Sequence, residues 1–168
     1  MAEAHTKERT TAKAQTSRVN DATRAVSEGL ARALANTYTL YLKTHNYHWN
    51  VTGPQFSSLH TLFETQYTEL ANAVDLIAER IRALGHVAPG SYAAFARLSE
   101  IKEAPDQPPA AMDMVRELAA DNETLVRIAE EVNRIADEHV DVASGDIMIE
   151  RMQVHAKAAW MLRAHLEG

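Results

Sequence analysis

The sequence predicts an all-α protein, a four-helix bundle in which a long crossover joins the second and third helices. Residues that favour helices are plentiful, and aromatic residues make up only 6% of the chain. Apolar residues recur at spacings of three and four through four separate segments. Between the second and third segments lies a stretch, residues 86–109, that contains the helix-breaking sequence APDQPP.

The first predicted helix carries one apolar stripe along its whole length. Ser17, Asn20 or Asp21 can cap its beginning. His48 lies five turns, about eighteen residues, after Leu30, and it therefore continues the inward face. The other inward residues are Val26, Ala33, Leu34, Thr37 and Tyr41.

The second predicted helix follows a short break. The sequence TGP at residues 52–54 ends the first helix, and Ser57 or Ser58 begins the second. Gly85 supplies its C-terminal stop. The inward residues are Phe63, Tyr67, Leu70, Val74, Ile77, Ala78 and Ile81.

The crossover and the last two helices complete the predicted bundle. SYAAFARLSEI forms a short helix inside the crossover. The third helix runs from about Ala110 to His139, DVASGD is a turn with capping residues, and the fourth helix runs to the C-terminus. This order of elements is that of a ferritin-like four-helix bundle.

The N-terminal residues differ from the remainder in pattern and charge. Residues 1–16 lack apolar periodicity, and we expect them to be disordered. We therefore divide the chain into a flexible, mildly basic tail, residues 1–20, and a bundle domain, residues 21–168. The tail has a net charge of +2, whereas the whole chain has −6. An acidic bundle domain is unlike a dedicated nucleic-acid reader and suits a protein that attracts cations.

Composition also excludes several classes of protein. The chain has no cysteine, which rules out disulfides and thiolate metal sites. No segment approaches the roughly 18 apolar residues that a membrane span requires, and the polar N-terminus is not a secretory signal. We therefore expect a soluble cytoplasmic protein without a membrane partner.

Five side chains that can bind a metal ion lie between His48 and Glu79. Four of them, His60, Glu64, Asp75 and Glu79, flank the apolar stripe of the second helix along one edge. Either pair alone is typical of an ordinary polar strip on a helix. Together, imidazoles and carboxylates without thiolates suit iron, manganese or zinc. A short loop brings His48 close to His60, which gives a first half-site with Glu64.

The second helix separates its four candidate ligands into two distant pairs. Their centres lie fifteen residues apart, about 22 Å along the axis, which no single metal site spans. A second copy of the helix, antiparallel and related by a two-fold axis near residues 69–70, would place the His60/Glu64 pair opposite the partner's Asp75/Glu79 pair. The spacing therefore predicts a site shared between two subunits.

The same stretch resembles a known family. HNYHWNVTGPQFSSLHTLFETQY followed by VDLIAERIRALG is similar to the signature of the Dps family, the mini-ferritins also called DNA-binding proteins from starved cells. VHAKAAWMLRAHLE resembles the last helix of that family. The resemblance extends over about residues 22–167 and does not cover the tail.

The resemblance implies a hollow dodecamer with ferroxidase centres at its two-fold interfaces. By position, His48, His60 and Glu64 would come from one subunit, and Asp75 and Glu79 from its partner. The family often has Asp where this chain has Glu64, and the extra methylene group can change the spacing of the metals. Trp49 matches a family Trp that intercepts oxidising equivalents, or else it is a packing aromatic of the dimer interface.

The implied chemistry is oxidation of Fe(II), with hydrogen peroxide preferred over dioxygen, and storage of the ferric product inside the shell. The chain has no Glu-x-x-His pair, on which classical ferritins depend. The family places acidic pores on its three-fold axes, near the turn that here holds Asp137, Asp141 and Asp146. Capping and turn formation are the alternative role of these three residues.

Two other functions are compatible with the sequence. A nucleoid-associated protein could bind DNA non-specifically through the basic tail, with a secondary metal site. A helical assembly could instead sequester another metal, such as zinc, without turnover. The basic residues of the tail are Lys7, Arg9, Lys13 and Arg18, and they are interspersed with Glu3 and Glu8.

Overall fold

Five helices account for most of the residues that the structure describes. The computed structural model describes the backbone of residues 2–167 and the side chains of residues 20–167. The helices are α1 (Ala2–Asn50), α2 (Phe56–Ala83), α3 (Tyr92–Leu98), α4 (Ala111–Glu138) and α5 (Val142–Ala164). Four long helices with a short one in the crossover are the predicted order.

The long helices pack antiparallel to their neighbours around two apolar clusters. One cluster lies towards the α1–α2 turn and includes Tyr47, Phe63 and Leu118. The other lies towards the opposite end and includes Leu30 and Ile77. Most of the predicted inward residues are buried, as their spacing requires.

The beginning of α1 differs from the prediction. The backbone is helical from Ala2, so the helix does not begin at Ser17, Asn20 or Asp21. Residues 1–20 are rich in Ala, Glu, Lys and Arg, which favour helix without any apolar stripe. Apolar periodicity reports burial, and it therefore missed this segment. That residues 1–20 form a flexible tail stays a prediction, because most of their side chains lie outside the described residues.

The ends of α2 decide where its candidate ligands lie. Gly53 and Gly85 have φ values of +104° and +89°, the left-handed region in which glycine is favoured. The predicted break and the predicted stop are therefore confirmed. The helix begins at Phe56 with Gln55 as its N-cap, rather than at Ser57 or Ser58.

The turn between α4 and α5 is shorter than predicted. Asp141 caps α5, and its carboxylate accepts a hydrogen bond from the Ser144 backbone N–H. Most of DVASGD is therefore the first turn of a helix, because a capping Asp begins a helix at the next residue. Among the residues whose structure is described, no helix is both long and apolar enough to cross a membrane.

Candidate metal centre

The side chain of each of His48 and His60 forms a hydrogen bond with the backbone of the other across the α1–α2 turn. Nδ1 of His48 lies 2.9 Å from the backbone oxygen of His60, and Nδ1 of His60 lies 2.9 Å from the backbone oxygen of His48. The two rings stack with centroids 3.7 Å apart. The short loop therefore brings the two imidazoles together, as the sequence predicted.

These reciprocal bonds determine which ring nitrogens are available. A backbone carbonyl only accepts hydrogen bonds, so each Nδ1 must carry the hydrogen and donate it. In a neutral imidazole whose Nδ1 carries the hydrogen, Nε2 has the lone pair with which it binds a metal. The His48 carbonyl belongs to the last turn of α1, where an oxygen has no partner within the helix. The His60 ring therefore also caps α1.

The carboxylates lie at the two ends of one unbroken helix. Glu64, Asp75 and Glu79 are all exposed. Within residues 20–167, none of them takes part in a side-chain hydrogen bond or ion pair with its own chain. Because α2 is continuous from Phe56 to Ala83, the separation of about 22 Å between the two pairs holds in the folded chain.

The ligand groups do not converge within one chain. In the part of the chain that the structure describes, no three His, Asp or Glu side chains come close enough together to hold a metal ion. The structure brings His48 and His60 together, but Glu64 does not complete a three-ligand group with them. The assignment of five ligands to one shared site stays a prediction.

Three aromatic side chains, His45, Trp49 and Tyr67, lie next to the histidine pair, and of these only Trp49 was a candidate site residue. The His45 ring lies between Trp49 and Tyr67, with ring centroids 4.1 Å from each. Burial, helped by the neighbouring His48, lowers the pKa of His45 below its usual value. Tyr67 also meets His48 edge to face at 5.2 Å. The signal for this placement in the sequence is the spacing of Tyr67, seven residues after His60 on α2.

Trp49 is 59% exposed at the edge of this group. Its ring centroid lies 4.1 Å from that of His45, which in turn lies 6.1 Å from that of His48. Its indole is therefore close to the candidate ligands and open to a partner surface or to solvent.

The three predicted pore residues have different surroundings. The carboxylate of Asp141 already has partners within its own chain. Arg80 lies 2.6 Å from it, and Ser144 donates two further hydrogen bonds to it. Burial opposes ionisation of Asp141, but the bonds from Ser144 and the charge of Arg80 outweigh it and lower its pKa. Asp137 and Asp146 are exposed. The alternative role of capping therefore describes Asp141, and a pore role for the other two stays a prediction.

Comparison with known proteins identifies the relatives of this chain. A model of the ferritin-like domain family matches residues 27–168. The DNA protection during starvation protein of Brevibacillus brevis is 39% identical over 138 residues, which are 82% of this chain and 92% of the relative. An uncharacterised low temperature-induced protein of Nostoc is 43% identical over 140 residues, 83% of this chain and 78% of the relative.

Solved structures agree with the sequence relatives. A Dps protein from Bacillus brevis has a TM-score of 0.84 and 37% identity, over 88% of this chain and 98% of that one. The Dps protein of Vibrio cholerae, described as a member of a broad superfamily of ferritin-like diiron-carboxylate proteins, has a TM-score of 0.84 and 28% identity, over 88% and 92% of the two chains. The ferritin-like bundle predicted from the sequence is confirmed, and the chain belongs to the Dps family of ferritin-like proteins.

Proposed function

We propose that this protein is a Dps-type iron-storage protein. It oxidises Fe(II) at a site shared by two subunits, preferably with hydrogen peroxide. It stores the ferric product in a hollow dodecamer in the cytoplasm and thereby protects DNA from oxidative damage. The observation that carries the proposal is the placement of two candidate ligand pairs at opposite ends of one continuous helix.

A two-fold partner makes one site out of these distant pairs. When two α2 helices cross antiparallel, the histidine end of each lies against the carboxylate end of the other, so that each dimer has two equivalent sites. Asp75 and Glu79 are exposed and lack partners within the described residues, which leaves both carboxylates free to act as ligands.

Exposed apolar side chains next to both half-sites support the proposal that a second subunit covers this surface. Trp49 and Phe56 are exposed beside the histidine pair, and Leu76 is exposed beside Asp75. Large apolar groups that stay exposed beside a site are a feature of protein interfaces. A second copy of this chain would bury them while it supplies the missing ligands.

The residues suit oxidation of Fe(II). The two imidazole Nε2 atoms are held in position before the metal arrives, which lowers the entropy that binding costs. Carboxylates favour the harder Fe(III) product. Few protein ligands for each iron leave positions open for peroxide. The diiron-carboxylate description of the Vibrio cholerae relative supports iron as the metal.

Co-expression of two inactive variants tests the shared site. His60→Ala removes a ligand from one half-site, and Asp75→Ala with Glu79→Ala removes two from the other. In a mixed dimer both defects fall in one site, and the second site is intact. Random pairing should therefore restore about a quarter of the wild-type rate of ferric absorbance after Fe(II) and peroxide are added. Each variant alone should show only the background rate.

The controls separate the shared site from its alternatives. Glu130→Ala, which changes an exposed carboxylate on α4, should leave the rate unchanged. The native mass of every particle should correspond to a dodecamer. If the co-expressed particle is no faster than a mixture of the separately purified variants, the site does not span two subunits. If the wild type forms no ferric product, the protein is not a ferroxidase.

DNA binding is a second candidate function. The observation that favours it is the likeness to the Brevibacillus brevis protein, whose name refers to DNA protection during starvation. The basic residues of segment 1–20 would supply the contacts, and a dodecamer would repeat them many times over its surface.

A further inference from the structure

Four tyrosines from three helices form a continuous series of neighbouring rings that starts at the histidine pair. Tyr67 meets His48 at 5.2 Å between ring centroids, and Tyr41 lies 6.3 Å from Tyr67. Tyr38 follows at 5.7 Å from Tyr41, and Tyr92 lies 6.5 Å from Tyr38. We call Tyr67, Tyr41, Tyr38 and Tyr92 the tyrosine series.

The series leads from the candidate metal centre to the surface of the chain. Tyr67, Tyr41 and Tyr38 are half-buried, whereas Tyr92 is 74% exposed. Two of the rings belong to α1 and are one turn apart, and the others come from α2 and α3. The packing of the three helices therefore produces an order of rings that no single helix contains.

The use of tyrosine in this series is selective. The chain has five tyrosines, and four of them belong to it. The fifth, Tyr47, is fully buried and donates a hydrogen bond to Glu117. Phenylalanine fills an apolar gap equally well, as Phe95 does where it stacks on Tyr38 at 4.7 Å. Phenols, unlike phenylalanine rings, can give up one electron and one proton to a strong oxidant.

We propose that the tyrosine series is an electron relay that delivers an electron from Tyr92 to the iron site when peroxide reacts there with a single Fe(II). The proposal rests on the ferroxidase function proposed above. Electron transfer between aromatic groups slows steeply with distance, and neighbouring rings at these separations allow short successive transfers.

The relay supplies the second electron that hydrogen peroxide, a two-electron oxidant, needs when a single Fe(II) can give only one. Reduction of hydrogen peroxide to two water molecules takes up two electrons and two protons. One Fe(II) supplies one electron and becomes Fe(III), and the phenol of Tyr92 supplies the second electron and one proton. The other proton comes from solvent. The products are Fe(III), two water molecules and a neutral tyrosyl radical at Tyr92. Without the second electron, the O–O bond of peroxide would break to release a hydroxyl radical.

The intermediate tyrosines are restored after each transfer. Tyr67 gives an electron and a proton first and regains both as Tyr41 is oxidised, and the same exchange continues to Tyr92. Burial, with smaller effects from the nearby phenols of Tyr92 and Tyr41, raises the pKa of Tyr38 above its usual value. The middle of the series therefore stays in the protonated form at rest. A soluble one-electron reductant, such as a phenol or ascorbate, can reduce the Tyr92 radical back to tyrosine from the solvent.

Spin trapping with peptide mapping tests the relay. The full-length assembled protein is loaded anaerobically with at most one Fe(II) per site, and peroxide is added with a nitroso spin trap. Mass spectrometry then locates the adducts, and ferric absorbance is followed in the same sample. We expect adducts on Tyr92 in the wild type. In Tyr38→Phe we expect them to fall several-fold at Tyr92 and to rise at Tyr67 or Trp49, with the ferric yield unchanged.

Matched variants keep the test decisive. Tyr47→Phe also removes a single hydroxyl group but lies outside the series, and Phe95→Leu alters packing against Tyr38 without removing a phenol. Both should leave labelling of Tyr92 unchanged. Equal labelling of Tyr92 in the wild type and in Tyr38→Phe would show that a diffusing radical attacks it directly, which overturns the relay. Ferric product without any adduct on Tyr92 also overturns the relay but leaves the ferroxidase intact. Absence of ferric product overturns both.

Discussion

His155 is a buried imidazole that the fold keeps neutral. Its Nδ1 lies 2.8 Å from the side-chain oxygen of Asn122, whose amide nitrogen donates to the Leu118 carbonyl. Nδ1 of His155 is therefore the donor, and its Nε2 is buried without a partner among the described residues. Burial, with the nearby charge of Arg151, lowers the pKa of His155 to about 3. Protonation at Nε2 would place a second cation beside Arg151 in the core.

This residue should make the stability of the protein depend on pH. The unfolded chain binds a proton at His155 near pH 6.5, whereas the folded chain does so only near pH 3. Its contribution is therefore complete above pH 6.5 and is lost as the pH falls from there towards 3. Between pH 7 and 5, the free energy of unfolding should fall by about 2 kcal/mol more in the wild type than in His155→Gln. Denaturant unfolding at fixed protein concentration measures the difference. Parallel pH profiles would contradict the assignment, and His165→Gln, at an exposed histidine, is the control.

At the scale of elements, α1 and α4 are joined by a buried cation. The Lys43 side chain is 5% exposed, with its ammonium 2.8 Å from Asp121 and 3.6 Å from Glu117. Burial raises the pKa of Asp121, and the bond and charge of Lys43 oppose that rise. Tyr47 donates a hydrogen bond to Glu117 from the next turn of α1. The ammonium therefore offsets two carboxylates that would otherwise repel each other.

Removal of that cation should destabilise the pairing of α1 with α4. Lys43→Met leaves a largely buried carboxylate without its partner, which costs about 3 kcal/mol. Thermal or denaturant unfolding should detect the loss. Lys102→Met, at an exposed lysine of the crossover, should have little effect. In the double variant Lys43→Met/Asp121→Asn, part of the stability should return. A Lys43→Met protein as stable as the wild type would mean that the pair contributes nothing net.

The sequence predicted elements better than contacts between them. The stripe of α2 and its glycine stop were predictable because they depend on local spacing and on φ at Gly85. The His48–His60 contact was predictable because a short loop keeps the end of the first helix close to the beginning of the second. The tyrosine series and the Lys43–Asp121 pair were not, because they depend on the rotation of each helix against the next. The start of α1 was missed because its helix-favouring residues have no apolar period.

At the scale of the whole molecule, any binding of DNA should depend on repetition of the N-terminal segment. A few basic residues bind a duplex weakly, but many copies on one particle act together. In gel-shift assays, particles of the full-length protein should retard DNA at low salt. The retardation should disappear as salt is added, because binding releases counterions. Particles that lack residues 1–20 should bind far less. Equal retardation by both would show that the N-terminal segment is not the DNA contact.

The two bonds between His48 and His60 also limit how the length of the chain can change. One residue inserted between Val51 and Gln55 would have to be absorbed within a few residues, or α2 would turn by about 100° and separate the imidazoles. A single insertion would then disrupt both the end of α1 and half of the metal centre. The crossover at residues 86–109 carries no candidate ligand, and there an insertion has no such effect. Differences in length among relatives should therefore accumulate in the crossover and be absent from the α1–α2 turn.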